Sequence, residues 1–188
     1  QLLDGYIFFN LPEKIYHEWK LNYKHIGLET ETKASFFLSK QCEQKYVTQA
    51  LRIISNSIHH ADSQPDESTY KMVFPRYFTQ EIAEYCSEFG LNDYIFLALV
   101  RSESFFEPIA NSNKGAVGLT QIMPGTGADI ARRLKVKEYD LADSATNLRF
   151  GAYYLSHLQR RLNGSILEAL FSYNAGLKRF ENWKAILP

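Results

Sequence analysis

The sequence predicts a mainly α-helical protein, and three observations carry the prediction. Apolar residues recur at three- and four-residue steps through most of its 188 positions, helix-opening and helix-closing residues bracket those stretches, and no convincing alternating strand interrupts them. The one candidate for extended structure is a small hairpin around Val117 to Ile122.

The first seventy residues read as successive amphipathic helices with short breaks. Asn10 and Pro12 open one that carries Ile15, Trp19, Tyr23 and Ile26 on a single face, and Gly27 closes it. A second runs from about Thr32 to Tyr46 with Ala34, Phe37, Leu38 and Cys42 in phase. A third, from Thr48 to about His60, presents Leu51, Ile54 and Ile58. His59 and His60 at its end suit the negative pole of a helix better than they suit a metal. Such faces must be buried against neighbours, as in stacked helical hairpins. The polar stretch from Ala61 to Thr69 has the composition of a linker, which places a domain boundary near residue 72.

Beyond it, Phe74, Pro75 and Tyr77 lead into a helix from about Thr79 to Phe89, ended by Gly90. The next runs from a cap at Asn92 through Ser104. A long helix follows from Asp143 or Ser144 to Leu162, with Leu148, Ala152, Leu155 and Leu158 on an unbroken stripe that marks it as a core helix. The chain finishes with a helix from Ser165 to Asn174, closed by Gly176, and an amphipathic turn bearing Phe180 and Trp183.

Composition narrows the function. A 45% hydrophobic content supports a real core, and 21 basic residues against 21 acidic ones leave no field suited to nucleic acid. No run of apolar residues is long enough to span a membrane. The chain begins at a glutamine with no signal peptide, as a processed or excised portion would. Cys42 and Cys86 lack metal-ligand spacing and fall in apolar helical patterns, so each reads as a free buried thiol, with a disulfide between them as the alternative.

Glu103 is the residue whose placement demands chemistry. Continuing the face of Ile95, Phe96, Leu99 and Val100 by one turn reaches this acid, and Pro108 biases Glu107 away from helical geometry. The helix should therefore end a few residues past Glu103. A carboxyl there is partly desolvated and lies at the negative end of the helix dipole, and both effects raise its pKa toward that of a general acid. The alternative is a structural ion pair with a neighbour such as Arg101. Gly115 and Gly118 then flank Ala116 and Val117, and Gly125 and Gly127 follow Pro124. Alone this is a turn; after an acid-bearing helix it reads as a flexible cleft wall whose backbone can approach a ligand.

Three segments together carry a resemblance. RSESFFEPIANS from Arg101, GAVGLTQIMPGT from Gly115 and SYNAG from Ser172, with DSATNLRFGAYYL between, resemble in order and spacing the soluble lytic transglycosylases, lysozyme-like enzymes that cut peptidoglycan glycan strands. The likeness spans residues 75 to 184, and residues 1 to 72 look more loosely like the family's superhelical lead-in. It implies a lysozyme-like α+β catalytic domain over residues 73 to 188, with at most a small β-hairpin, preceded by stacked helical hairpins over residues 1 to 72.

The resemblance also implies roles. Glu103 matches the single catalytic acid, Gln121 the glycan-contacting glutamine, and Tyr173 an active-site tyrosine that offers a ring to a pyranose and a hydroxyl to Glu103 or substrate. Met123 matches a cleft methionine, with an ordinary core methionine the alternative. Ser104 and Ser112 match serines near the acid or the sugar. Asn147 matches an asparagine that either contacts sugar or ties helices together by buried hydrogen bonds. Asn174 and Gly176 shape a helix end. Two departures are visible: Thr120 stands where methionine is common, which bears on the shape of one subsite, and Ala142-Asp143-Ser144 replaces an Asp-Pro pair.

Glycosidases usually need two carboxylates, yet no partner emerges, because Glu107 adjoins Pro108 and Asp129, Asp140 and Asp143 read as caps or solvated residues. A lone acid fits what the resemblance implies. Glu103 protonates the oxygen between N-acetylmuramic acid and N-acetylglucosamine, the substrate's acetamido group stabilises the cation, and the muramoyl 6-hydroxyl closes onto C1 to leave a 1,6-anhydro end. No metal or cofactor is required. Two rivals remain: a goose-type lysozyme-like hydrolase, and a non-catalytic glycan-binding or scaffolding module. The expected partner is peptidoglycan, which places the protein in the periplasm or cell envelope.

Overall fold

Prolines, glycines and short polar residues set the helix ends seen in the computed structural model, which describes residues 2–41, 43–59 and 66–186. The chain divides into two units, residues 1–77 and 78–188. In the first, α1 (Leu2–Phe8), α2 (Pro12–Asn22), a single 3-10 turn (Tyr23–His25), α3 (Leu28–Ser39), α4 (Gln44–His59) and α5 (Glu67–Val73) follow in order. Leu3, Ile15, Trp19, Ala34, Leu38, Tyr46, Ala50 and Ile53 form its core. Glu31 is buried on α3, where it accepts from the Trp19 indole and the Ser57 hydroxyl, each at 2.5 Å, so one carboxylate ties α2, α3 and α4 together.

Several boundaries differ from the sequence expectation, each for a local reason. Gly27 has φ −76° and ψ 153° and caps the start of α3; it does not close α2, whose last turn tightens into the 3-10 turn. Thr32 sits inside α3, with its hydroxyl donating to the Leu28 carbonyl, so it does not cap that helix. Tyr46 and Thr48 both belong to α4 and are buried. Asp66 caps α5 by accepting from the Thr69 amide at 2.8 Å, so the end of the expected polar linker is helical. The remainder of that linker, with Cys42 and His60, lies outside the described residues.

The second unit comprises α6 (Thr79–Phe89), α7 (Asp93–Ser104), α8 (Pro124–Leu134), α9 (Ser144–Arg161), α10 (Ile166–Ala175) and α11 (Leu177–Ile186). Its caps follow the sequence signals. Asn92, Asp143 and Ser165 each accept an amide proton from the first turn of the helix they open, and Gly90 closes α6 at φ +70°. Helix α9 is central, with α6, α8 and α10 packed on it. Extended structure among the described residues is limited to isolated bridges pairing Asn111 with Val117 and Val117 with Ile122. Cys86 is a buried free thiol, its pKa pushed up to about 11 by desolvation. Among the described residues no helix is long and apolar enough to cross a membrane.

Gly125 and Gly127 are helical, in the first turn of α8 behind Pro124, so they do not prolong the loop as expected. Gly151 has the tighter constraint: a Cβ on this α9 residue would stand 2.5 Å from the Thr120 side chain. An exposed helical Gly→Ala change gains up to about 1 kcal/mol. Here crowding of about 1–3 kcal/mol opposes that gain, and the contact is severe enough for it to win. Gly151→Ala is therefore expected to lower Tm, and a thermal melt at or above that of the unmodified chain would contradict it.

Candidate active site

Helix α7 brings Glu103 to its last turn and stops at once. Phe105 and Phe106 adopt the left-handed region, φ +53° and +59°, at a cost of about 1–2 kcal/mol each. Complete burial of the Phe106 ring offsets that cost. The chain thereby turns away one residue after the helix ends, sooner than Pro108 alone would dictate, and leaves Glu103 half-buried at an opening.

The segment from Asn111 to Ile122 folds back over this opening through the two bridges. Gln121 sits at φ +51° with its amide nitrogen donating to the carbonyls of Ala110 at 3.2 Å and Gly118 at 2.9 Å. Both of its protons are thus used to hold the loop, so the group it can offer a ligand is the acceptor Oε1, not the donor and acceptor expected from the sequence. Ser112 accepts from the amides of Lys114 and Ala116, which leaves its hydroxyl proton free to donate. Gly118, at φ +79°, is required by internal packing: a Cβ there would meet Asn147 and the Leu141 carbonyl.

These elements enclose a cleft of about 590 Å³ whose walls include Glu103, Ser112, Gln121, Met123 and Tyr173. Five of the residues singled out in the sequence therefore meet at one place. Ser104 and Asn147 do not line it. Ser104 is buried and donates to the Val100 carbonyl at 3.1 Å. Asn147 is fully buried and joins α9 to the loop: its Oδ1 accepts from the Thr120 amide at 2.8 Å and hydroxyl at 2.7 Å, and its Nδ2 donates to the carbonyls of Val117 and Leu141. Of its two sequence readings, buried hydrogen bonding is the one the geometry favours, although the bonds tie α9 to loop segments and not helix to helix. Thr120 is likewise fully buried in this joint and does not itself line the cleft. Its carbonyl accepts from the Tyr173 hydroxyl at 2.7 Å, so the proton of that phenol is committed to the loop and its oxygen remains able to accept.

The electrostatics single out one group. Burial raises the Glu103 pKa above the ordinary carboxylate value, and among the described residues Glu103 has neither a hydrogen-bond nor an ion-pair partner. The expected alternative, an ion pair with Arg101, is not formed among the described residues; that guanidinium lies over the Phe105 ring, 5.3 Å from its centre. Desolvation also holds the Tyr173 phenol far above its usual range, so it stays a neutral donor. Asp129 pairs with Arg132, and Asp140 and Asp143 accept backbone amides at Ala142 and Thr146. No other carboxyl lines the cleft, and no group of three or more metal-ligating side chains occurs among the described residues.

Sequence reasoning missed Lys114, Tyr154 and Arg179, which also line the cleft. Tyr154 packs against Tyr173 with ring centres 5.2 Å apart. A signal for it was present: Asn147, Gly151 and Tyr154 fall at i, i+4 and i+7 on one face of α9, and that face meets the loop and the cleft.

Comparison with known proteins bears on the same region. Residues 80–186 match the family described as Transglycosylase SLT domain. Over 114 residues the chain is 30% identical to the soluble lytic murein transglycosylase of Escherichia coli and 29% identical to that of Salmonella typhimurium, covering 58% of this chain and 18% of each relative. It is 26% identical over 187 residues to the membrane-bound lytic murein transglycosylase C of Yersinia enterocolitica, 93% of this chain and 48% of that protein. The chain thus spans less than half the length of these relatives. Among solved structures, an inactive mutant of the lytic transglycosylase Slt from Pseudomonas aeruginosa superimposes with a TM-score of 0.74 at 27% identity, covering 94% of this chain and 28% of that one. The 70-kDa soluble lytic transglycosylase of Escherichia coli gives 0.73 at 21% identity, over 96% of this chain and 28% of its own, a likeness of fold.

Proposed function

The chain belongs to the transglycosylase SLT domain family, and from that premise we propose that it is a peptidoglycan lytic transglycosylase in which Glu103 is the one acid and base. The observation that carries this reading is the isolation of Glu103: among the described residues it is the only carboxyl on the cleft wall, raised in pKa by burial and held by no cation. A carboxyl in that state keeps a proton to give.

In the proposed reaction, protonated Glu103 donates to the oxygen linking N-acetylmuramic acid to N-acetylglucosamine, and the bond from that oxygen to C1 breaks. The acetamido carbonyl of the muramoyl unit stabilises positive charge at C1. Glu103, now anionic, takes the proton of the muramoyl 6-hydroxyl as its oxygen bonds to C1, which closes the 1,6-anhydro ring and restores the acid. The cycle needs no second carboxylate, unlike the two-acid hydrolytic routes. Ser112 and the Oε1 of Gln121 orient the sugars, Met123 and Tyr173 supply apolar wall, and Asn147 acts indirectly by fixing the loop. Residues 73–188 form the catalytic domain and residues 1–72 its helical lead-in, acting in the periplasm or envelope where the polymer lies.

The test is product chemistry. Sacculi digested in oxygen-labelled water should yield muropeptides with 1,6-anhydro ends and no label, whereas labelled reducing ends would establish a lysozyme-like hydrolase. A pH profile adds a second expectation. Because the acid must start protonated and its pKa is raised, kcat/KM should fall with rising pH at a midpoint above the ordinary carboxylate range; a decline at or below that range would contradict the assignment. The same sign holds for folding. The contribution of this group to stability is full below its unfolded pKa and is lost as pH rises through the folded one.

A further inference from the structure

Resting on that reading, we propose that Lys114 and Arg179 form an acid-reading edge of the cleft that binds carboxylates carried on a branch of the glycan strand. The two cations come from different elements, Lys114 from the loop that carries Gln121 and Arg179 from the first turn of α11, and both reach the wall of the cleft that holds Glu103. Neither side chain has an anionic or hydrogen-bonding partner among the described residues. In this unit Arg132, Arg149, Arg161 and Lys184 each hold a carboxylate of the protein itself; Arg133, Lys135, Lys137, Arg160 and Lys178 hold none among the described residues, and Lys114 and Arg179 differ from those in lining the cleft. Two uncommitted cations beside a cleft with a single carboxyl on its wall leave a local excess of positive charge. That excess has no protein anion to meet and suits an acidic ligand.

Arg179 also stands at a junction. A second groove of about 480 Å³, lined by Leu177, Lys178 and Asn182, shares Ala175, Gly176 and Arg179 with the main cleft. A linear neutral polymer would use the main cleft alone. A substituent leaving the strand there can pass over Arg179 into a groove that offers a further cation and an amide, so the surface fits a branched ligand with acid on its branch. In peptidoglycan two sources supply such carboxylates: the lactyl ether of muramic acid and the peptide attached to it.

Binding of three probes by the whole chain tests this, in a Glu103→Gln background so that nothing is consumed. The probes are peptide-bearing glycan strands, the same strands after an amidase has removed the peptides, and uncharged chito-oligosaccharides. Adding Lys114→Gln and Arg179→Gln together should lower affinity for acid-bearing strands, relative to the chito-oligosaccharides, about tenfold, as expected of two exposed charge pairs. Raising ionic strength should shrink the same ratio in the parent. A response confined to peptide-bearing strands assigns the charge to the peptide, and an equal response of amidase-treated strands assigns it to the lactyl carboxylate. An unchanged ratio overturns the proposal. Both cations are exposed, so the variants should fold, as a thermal melt will verify. Because the readout is binding, absence of cleavage by the unmodified chain counts against the catalytic reading alone.

Discussion

Glu103→Gln is expected to lower kcat on peptidoglycan by about 10²- to 10⁴-fold, the range for removing a general acid, with glycan binding retained. The substitution keeps size and replaces the acidic hydroxyl by an amide that cannot give up its proton, and among the described residues no internal bond is broken because Glu103 makes none. Stability moves the other way. Above its raised pKa the half-buried carboxylate is desolvated without compensation, so the amide should leave Tm unchanged or raise it at neutral pH. An active site that is less stable than its inactive variant is a familiar trade between stability and function. A variant that retained most activity would remove Glu103 from the chemistry, and a variant that unfolded would show that the carboxyl is structural.

Asn147→Ala should be the most destabilising single change near the site. It strands the Thr120 amide and the carbonyls of Val117 and Leu141 in a joint from which solvent is excluded. At about 1–3 kcal/mol for each stranded group, partly relieved by relaxation, the loss should reach about 3 kcal/mol, or about 6–12 °C in Tm. Asn147→Asp is the sharper test. It is nearly isosteric, yet an oxygen would replace the Nδ2 donor opposite two carbonyls, so it should lose as much as alanine despite keeping the shape. Activity should fall in both, since the loop positions Gln121 and its Thr120 carbonyl holds Tyr173. An aspartate variant as stable as the parent would mean that the joint is held by packing and not by these bonds.

How much of this was legible in the sequence depended on where the information is local. The stripes and caps of α6, α7, α9 and α10 could be read because helix period, Asn92, Asp143, Ser165 and Gly90 act within a turn or two of themselves. Gly27 misled because a glycine can cap a start as well as an end, and nothing local distinguishes φ −76° from a left-handed residue. Glu103, Ser112, Gln121, Met123 and Tyr173 were found by motif, and the fold gathers them on one cleft. The parts that stayed hidden are set at a distance in sequence: Tyr173 donates to a carbonyl 53 residues away, and Asn147 fixes a loop 27 to 30 residues before it. The direction of the Gln121 amide depends on the Ala110 and Gly118 carbonyls, which only the folded loop brings to it.

The central physical claim is that Glu103 holds its proton where an ordinary glutamate would not, and carboxyl carbon NMR of glutamate-labelled protein measures this directly. With the Glu103 resonance assigned by its loss in Glu103→Gln, the account predicts a titration midpoint above the 4.5 of an unperturbed glutamate, reached without a coupled partner. A midpoint at or below that value would mean a carboxylate already ionised in the resting cleft, and a single-acid mechanism could not start from it.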